Sequence, residues 1–235
     1  MMSGLSQGAG RFATLAALVA AGWPVSGAAQ DAPLSLEGLA ATCLAAGTDA
    51  ETLRATFAAD GWVELGADAT AEAFAPFYQG DTLVSIGGGG APRDGLAATL
   101  AQEPARTEEM AGLNAFAARN DANGVVSYAR RLYFVHDAAD ARLTAFVSPG
   151  DTSCSLFGTD LGLALPAGAE AVPLTIGDSV MLGAGGLLDL FRANVPLADG
   201  RRALVVSAIS AEGAAQTFED AGFTVTEAHS ILVAP

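Results

Sequence analysis

One stretch of this sequence decides its fold class: residues 125–157, which read VVSYARRLYFVHDAADARLTAFVSPGDTSCSLF. Three runs within it, 125–136, 142–147 and 153–157, are rich in the β-branched and aromatic residues that favour strands. They are separated by DAADA and by PGD, whose composition is typical of turns. Short connections of this kind join neighbouring antiparallel strands, so the stretch predicts a central three-strand antiparallel meander.

The sequence on both sides of this meander mixes helix and strand signals. The spacing of apolar residues predicts short helices at 34–46, 50–60, 70–78, 94–101, 107–119 and 211–221. Runs of strand-forming residues lie at 62–65, 81–86, 171–176, 203–208 and 223–233. Antiparallel strands dominate over strand–helix–strand units in this order, which predicts the α+β class: an antiparallel sheet packed with several short helices.

A short pattern occurs twice in the chain. Thr56-Phe57 is followed by Gly61-Trp62, and Thr217-Phe218 is followed by Gly222-Phe223 at the same spacing. One interpretation is a duplication, with two halves at 30–165 and 172–235 joined through the proline-containing segment 165–173. The other is convergence, because glycine ends helices and aromatic residues open buried strands wherever that step occurs.

Composition excludes several classes of function. The chain has 235 residues, 26 acidic residues and 11 basic ones, all of which are arginine, so its formal net charge is −15. Without lysine there is no P-loop lysine and no Schiff-base nucleophile. Nucleic acid is not an expected partner, because phosphate binding needs a basic face.

The first 29 residues have the order of a secretory signal peptide. Arg11 precedes an apolar run at 12–25, and the small-residue stretch SGAAQ follows it. We expect cleavage after Ala29, with cleavage after Ala28 as the alternative. Cleavage after Ala29 leaves residues 30–235 as a mature α+β domain in the bacterial periplasm or outside the cell. No later run has the eighteen or so apolar residues of a membrane span, so no transmembrane segment is expected after signal removal.

An oxidising compartment gives the two cysteines a role. Cys43 lies in a predicted helix and Cys154 in a predicted strand, and a disulfide between them would close a loop of about 110 residues. In the chain-entropy model such a crosslink is worth about 4–5 kcal/mol. The alternative is two separate buried thiols, since free cysteine is one of the most buried residue types.

One short motif has a local setting suited to catalysis. A strand predicted at 171–176 leads into Gly177-Asp178-Ser179, which resembles the nucleophile block of the GDSL-type (SGNH) esterases and acyltransferases. The resemblance implies Ser179 as nucleophile and His229 as its base. Thr226 stands where that family carries its acid, and no Gly-x-Asn block is present. The alternative is a turn in which Asp178 or Ser179 caps a following helix.

The remaining charged and glycine-rich segments do not assemble into a recognised site. The acids lack the spacing of a calcium loop, and Gly87–Gly90 meets Pro92 where a dinucleotide fingerprint needs glycine. The basic pairs Arg130-Arg131 and Arg201-Arg202 are expected to bind local carboxylates. We therefore expect no metal site and no cofactor.

These observations favour an exported, non-enzymatic binding or envelope-associated module. Its partner would be a protein or a small molecule of the periplasm, and the sequence assigns no binding residues. A serine esterase using Ser179 and His229 is the alternative function.

Overall fold

The computed structural model describes residues 34–45, 49–66, 68–85, 103–124, 130–172, 174–176, 179–181 and 187–234. Those residues contain five α-helices: α1 (Leu36–Cys43), α2 (Ala50–Ala59), α3 (Ala75–Ser85), α4 (Glu103–Ala122) and α5 (Ala215–Asp220). They also contain ten strands: β1 (Val63–Glu64), β2 (Arg130–His136), β3 (Ala141–Ser148), β4 (Asp151–Gly158), β5 (Glu170–Ala171), β6 (Leu174–Ile176), β7 (Ser179–Met181), β8 (Leu188–Pro196), β9 (Arg202–Ser210) and β10 (Glu227–Val233).

The strands confirm the α+β antiparallel class. Eight of them form one sheet in the order β1-β2-β3-β4-β10-β9-β8-β5, and β6 and β7 form a separate hairpin. Every pairing is antiparallel, including the predicted meander β2-β3-β4. Two consecutive three-strand runs, β2-β3-β4 and β8-β9-β10, meet where β4 pairs with β10. Whether they descend from a duplication stays a hypothesis.

Helices cover both faces of the eight-stranded sheet. Along β2, Leu132 and Phe134 contribute to one buried cluster and Tyr133 to the other, because successive side chains point to opposite faces. Helices α1 and α2 pack on the first face, and α3, α4 and α5 pack on the second. None of the described helices combines the length and the apolar composition needed to cross a bilayer.

Cys43 and Cys154 form the disulfide that the sequence predicts. Their sulfurs are bonded, and their Cα atoms lie 6.2 Å apart. The bond joins the last residue of α1 to the middle of β4, and both residues are buried in the cluster of the first face. It therefore fastens an N-terminal helix to one of the two central strands.

The predicted strand at 81–86 is wrong, because residues 81–85 form the last turns of α3. The buried residues Phe77, Gly80 and Leu83 recur every three positions, which is a helical repeat. A Cβ atom on Gly80 would lie only 2.0 Å from Cδ1 of Phe157. The helix therefore approaches β4 closely at this glycine, and that tertiary contact overrides the strand preference of Leu83 and Val84.

The sequence did not predict β8. Its buried residues begin at even positions, Leu188 and Leu190, and continue at odd positions, Ala193 and Val195. The pairing with β9 continues without interruption, so the strand buries one face at its start and the other at its end. This change of face removes the simple alternation by which strands are recognised.

The repeated Phe-Gly-aromatic pattern marks two helix ends with the same hydrogen bonds. The N–H groups of Trp62 and Phe223 donate to the carbonyls of Phe57 and Phe218, both at 2.9 Å. The intervening Gly61 and Gly222 have φ of +86° and +77°. These are Schellman motifs, whose positive φ favours glycine and whose ends join in a hydrophobic contact. Helix-end chemistry is sufficient to produce this repeat, so the repeat by itself does not require a duplication.

Three further predictions have different outcomes. Helix α4 confirms and extends the helix predicted at 107–119, while the helix predicted at 94–101 and residues 125–129 of the meander lie outside the described residues. Gly177 and Asp178 also lie outside them. Ser179 begins strand β7, so the following element is a strand and not the helix that the turn alternative predicted.

Candidate ligand cleft

A cleft of about 400 Å³ lies at the β1 edge of the sheet. It forms where α2 on the first face and α4 on the second approach each other around the edge strand β1 and its neighbour β2. Its walls combine charged side chains with small or apolar residues: Glu51, Arg54, Glu64, Leu65, Gly66, Ala118, Asp121, Ala122, Arg130, Arg131 and Tyr133.

Arg54 of α2 connects its own helix to two other elements at the cleft, β1 and α4. Its Nε and Nη2 donate to the two carboxylate oxygens of Glu64 in β1, at 2.7 and 2.9 Å. Nη2 also donates to Oδ2 of Asp121 in α4, at 2.7 Å, and Nη1 to Oε1 of Glu51, at 2.7 Å. Hydrogen bonds to these carboxylates, chiefly to Glu64, raise the pKa of Arg54.

Arg130 of β2 holds the same Asp121 from the other side. Its Nε and Nη2 donate to Oδ1 and Oδ2 of Asp121 at 2.7 and 2.9 Å, in the two-pronged geometry that suits guanidinium and carboxylate groups. Hydrogen bonds from Arg130 and then from Arg54 hold the pKa of Asp121 below its usual value. Asp121 in turn raises the pKa of Arg130. The two helical layers are thereby joined by a network of ion pairs.

Arg131 is held less tightly than the other two arginines. Its one described ion pair is to Asp81, with Nη1 and Oδ2 at 3.4 Å, and its side chain is 43% exposed. Burial raises the pKa of Asp81, and the charge of Arg131 offsets only part of that effect. The guanidinium of Arg131 is therefore the cation in this cleft with the most donor capacity left for a ligand.

Tyr133 lies beside Arg131 in the cleft wall. Its hydroxyl donates to Oδ1 of Asn114 in α4 at 3.0 Å. Burial raises the pKa of Tyr133 to about 12, so the phenol is neutral and serves as a hydrogen-bonding group.

The charges of the lining residues cancel. Three carboxylates, from Glu51, Glu64 and Asp121, face three guanidinium groups. In a chain with a formal net charge of −15, this cleft is locally neutral. The lining residues therefore add no net charge of their own to that of the acidic surface.

The expectation that basic pairs bind local carboxylates is confirmed for three of the four arginines. Arg130 binds Asp121, Arg131 binds Asp81, and Arg201 donates from Nε to Oδ2 of Asp199 at 2.7 Å. The sequence did not single out Arg54, Glu64 or Asp121. Arg54 and Asp121 are 67 residues apart, so the only local signal for the network was Glu51 three residues before Arg54.

His229 belongs to a separate, fully buried polar cluster. Nδ1 of His229 lies 2.8 Å from Oγ of Ser207, and Nε2 lies 2.7 Å from Oε1 of Glu227. Oε2 of Glu227 accepts a hydrogen bond from the backbone N–H of Leu161 at 3.0 Å. A neutral imidazole that is protonated on Nε2 satisfies both of its contacts, accepting from Ser207 and donating to Glu227.

This cluster bears on the esterase hypothesis. His229 and Ser207 face each other in β10 and β9, in the interior of the eight-stranded sheet, whereas Ser179 lies in the separate hairpin. Both ring nitrogens of His229 already have partners, so the imidazole would have to give up the Ser207 or Glu227 contact to act as a base for Ser179. A serine hydrolase function remains a hypothesis, and the contacts of His229 argue against it.

Comparison of this chain with protein-family models, curated proteins and solved structures found no match. In the described residues, no group of three or more His, Cys, Asp or Glu side chains is arranged to hold a metal ion. Function is therefore inferred from the geometry of this chain's own residues.

Proposed function

We propose that this protein is an exported, non-enzymatic binding module whose small polar ligand occupies the cleft at the β1 edge. The proposal rests on one observation: the three arginines of the cleft differ in how strongly they are bound to carboxylates of the chain. Arg54 and Arg130 bind carboxylates at 2.7 Å and fix the walls, while Arg131 is 43% exposed and has only a long ion pair with Asp81 and a hydrogen bond with the neutral Tyr133.

The lining indicates the chemistry of the ligand. A carboxylate or another small anion would contact Arg131, and Glu51, whose side chain is 76% exposed, offers an acceptor for a donor on the same ligand. Leu65, Ala118 and Ala122 provide apolar contact between these groups. A volume of about 400 Å³ accommodates a small organic molecule or the end of a peptide.

Two features support export. The sequence at 1–29 has the order of a signal peptide, and a disulfide such as Cys43–Cys154 persists in an oxidising compartment. Fractionation of a bacterium expressing the full chain tests this part. We expect the protein in the periplasm or medium, with an N-terminus at residue 30 and no titratable thiol. Retention in the cytoplasm with an intact N-terminus would refute it.

Ligand binding is tested by thermal shift and calorimetry with a panel of small carboxylates, amino acids and short peptides. We expect at least one class to bind wild-type protein and to lose most of its affinity in Arg131→Ala. Arg192→Ala is the matched control. Arg192 is also an exposed strand arginine with one loose carboxylate contact, to Glu170 at 3.7 Å, but it lies at the opposite edge of the sheet.

Two results would contradict the cleft as the binding site. One is a ligand that binds wild-type protein and Arg131→Ala equally well. The other is equal loss of affinity in Arg131→Ala and Arg192→Ala, which would indicate a general electrostatic effect rather than a specific contact.

A further inference from the structure

Helix α4 has a second apolar face that points away from the protein. Its inner face, which includes Ala111, Ala115 and Ala118, is buried against the sheet. On the opposite side, Leu113 is 52% exposed and Phe116 is 56% exposed. Among the described residues, the other large hydrophobic side chain left this exposed is Val63. Leu113 and Phe116, two of these three exposed hydrophobic residues, therefore lie one turn apart on a single helix.

The exposed residues form a stripe with the spacing of a helix-pairing surface. Glu109, Leu113, Phe116 and Asn120 follow one another at intervals of four, three and four residues. This is the spacing of the positions that face a partner in paired helices, with apolar residues at the centre and polar residues at the ends. All four are fully or partly exposed.

We propose that this stripe is the contact between two copies of the chain, with the two α4 helices packed antiparallel around a twofold axis. Such an interface must be self-complementary. Antiparallel pairing places Leu113 of each copy opposite Phe116 of the other, and Glu109 opposite Asn120. The same surface on each copy thus contributes equally to an apolar centre and to the polar contacts at its two ends.

Charge along the edge of the stripe favours the antiparallel arrangement. Glu108 in the first half of α4 and Arg119 in its second half lie on the same side of the stripe, and both are exposed. In the antiparallel pair, Arg119 of one copy lies beside Glu108 of the other, and symmetry forms this pair twice. In a parallel twofold pair, this flank of one helix and the same flank of the other lie on opposite sides of the contact, so Glu108 and Arg119 would not meet across it.

Gly112 provides room for close approach on that same side. It is partly exposed, and no atom lies within 4 Å of the position that a Cβ would occupy. A second helix can therefore approach the backbone between Glu108 and Arg119 without displacing a side chain.

Sedimentation equilibrium on the protein as recovered from cells tests the proposal. At about 0.15 M salt, where the Debye length is about 8 Å, the repulsion between two acidic copies is largely screened. We expect the average mass to rise with concentration towards that of a dimer. The double variant Leu113→Gln/Phe116→Gln should weaken the dimer at least about tenfold, roughly 1.4 kcal/mol. Val63→Gln, which removes the third exposed hydrophobic side chain, should leave it unchanged.

Exchanging the charges of Glu108 and Arg119 tests whether the two helices run antiparallel. This test does not require the variant Leu113→Gln/Phe116→Gln to fold. Arg119→Glu alone should weaken the dimer, and Glu108→Arg combined with Arg119→Glu should restore it. Two results would overturn the proposal. One is a wild-type protein that is a monomer at every concentration, and the other is a double variant Leu113→Gln/Phe116→Gln whose dimer is as strong as that of Val63→Gln. Failure of the double charge variant to recover association would overturn the antiparallel arrangement.

Discussion

Asp121 and Arg130 form a two-pronged ion pair, with Nε–Oδ1 and Nη2–Oδ2 distances of 2.7 and 2.9 Å, although Asp121 lies in the last turn of a helix on one face of the sheet and Arg130 begins β2, the strand next to the edge. Because Arg54 from the opposite helical layer binds the same carboxylate, Asp121 connects both layers at the cleft. Its charge therefore matters for stability as well as for the shape of the cleft.

Replacing Asp121 with Asn should destabilise the fold by about 1–3 kcal/mol at pH 7, because two partly buried guanidinium groups lose a charged acceptor. The pKa of Asp121 is lower in the folded protein than in the unfolded chain, so its contribution is complete above the unfolded pKa of about 3.9. It is lost as pH falls through the folded pKa.

Urea unfolding of wild type and Asp121→Asn from pH 7 down to pH 3 checks this expectation. The difference in unfolding free energy should be constant at neutral pH and should shrink below about pH 4. The variant Asp160→Asn controls for the general effect of removing one acid, since Asp160 is exposed. A difference that grows on acidification would contradict the assigned role.

Removal of the disulfide should have a larger effect. The variant Cys43→Ser/Cys154→Ser should lose about 2–5 kcal/mol of unfolding free energy, because the bond closes a loop of 111 residues and the sulfurs are buried. Wild-type protein unfolded in a reductant should lose a similar amount. If reduction has no effect on wild type while the double variant is unstable, the loss arises from packing of the serine hydroxyls and not from the crosslink.

The elements that the sequence predicts well are those whose local pattern and tertiary role agree. The meander at 125–157 has turn residues between runs of strand formers, and α1 has an N-cap at Ser35 and a buried stripe. The disulfide follows from two cysteines in a chain with a leader-like N-terminus. In each case the signal lies within a few residues or in the composition.

The elements that the sequence misses depend on contacts far along the chain. Residues 81–85 have strand preference but are helical because Gly80 lets α3 approach Phe157, 77 residues later. The ion-pair network needs Arg54 and Asp121 to meet around the sheet edge, which requires the strand order that no local pattern encodes. The buried contact of His229 with Ser207 likewise follows from the register of β9 and β10.

Two helical glycines should respond oppositely to the same substitution. Gly80→Ala should destabilise the protein by about 1–3 kcal/mol, because the new methyl group would lie 2.0 Å from the ring of Phe157 in a packed core. Gly112→Ala meets nothing within 4 Å and should stabilise α4 by up to about 1 kcal/mol, since alanine is the better helix former. Thermal unfolding of both variants at one dilute concentration tests the pair. Equal effects would mean that α3 does not make the close approach to β4.

Ser179 should not react with a fluorophosphonate, which captures serines activated by a neighbouring base. Both ring nitrogens of His229 are hydrogen-bonded inside the fold, so the imidazole is a structural group between Ser207 and Glu227. His229→Ala should accordingly lower the unfolding free energy by about 1–3 kcal/mol, because Ser207 loses its side-chain partner and Glu227 keeps only the N–H of Leu161. Intact-mass analysis of the treated, folded protein and urea unfolding of the variant check both expectations. A single adduct on Ser179 that disappears in folded His229→Ala would replace the binding-module proposal with a serine hydrolase.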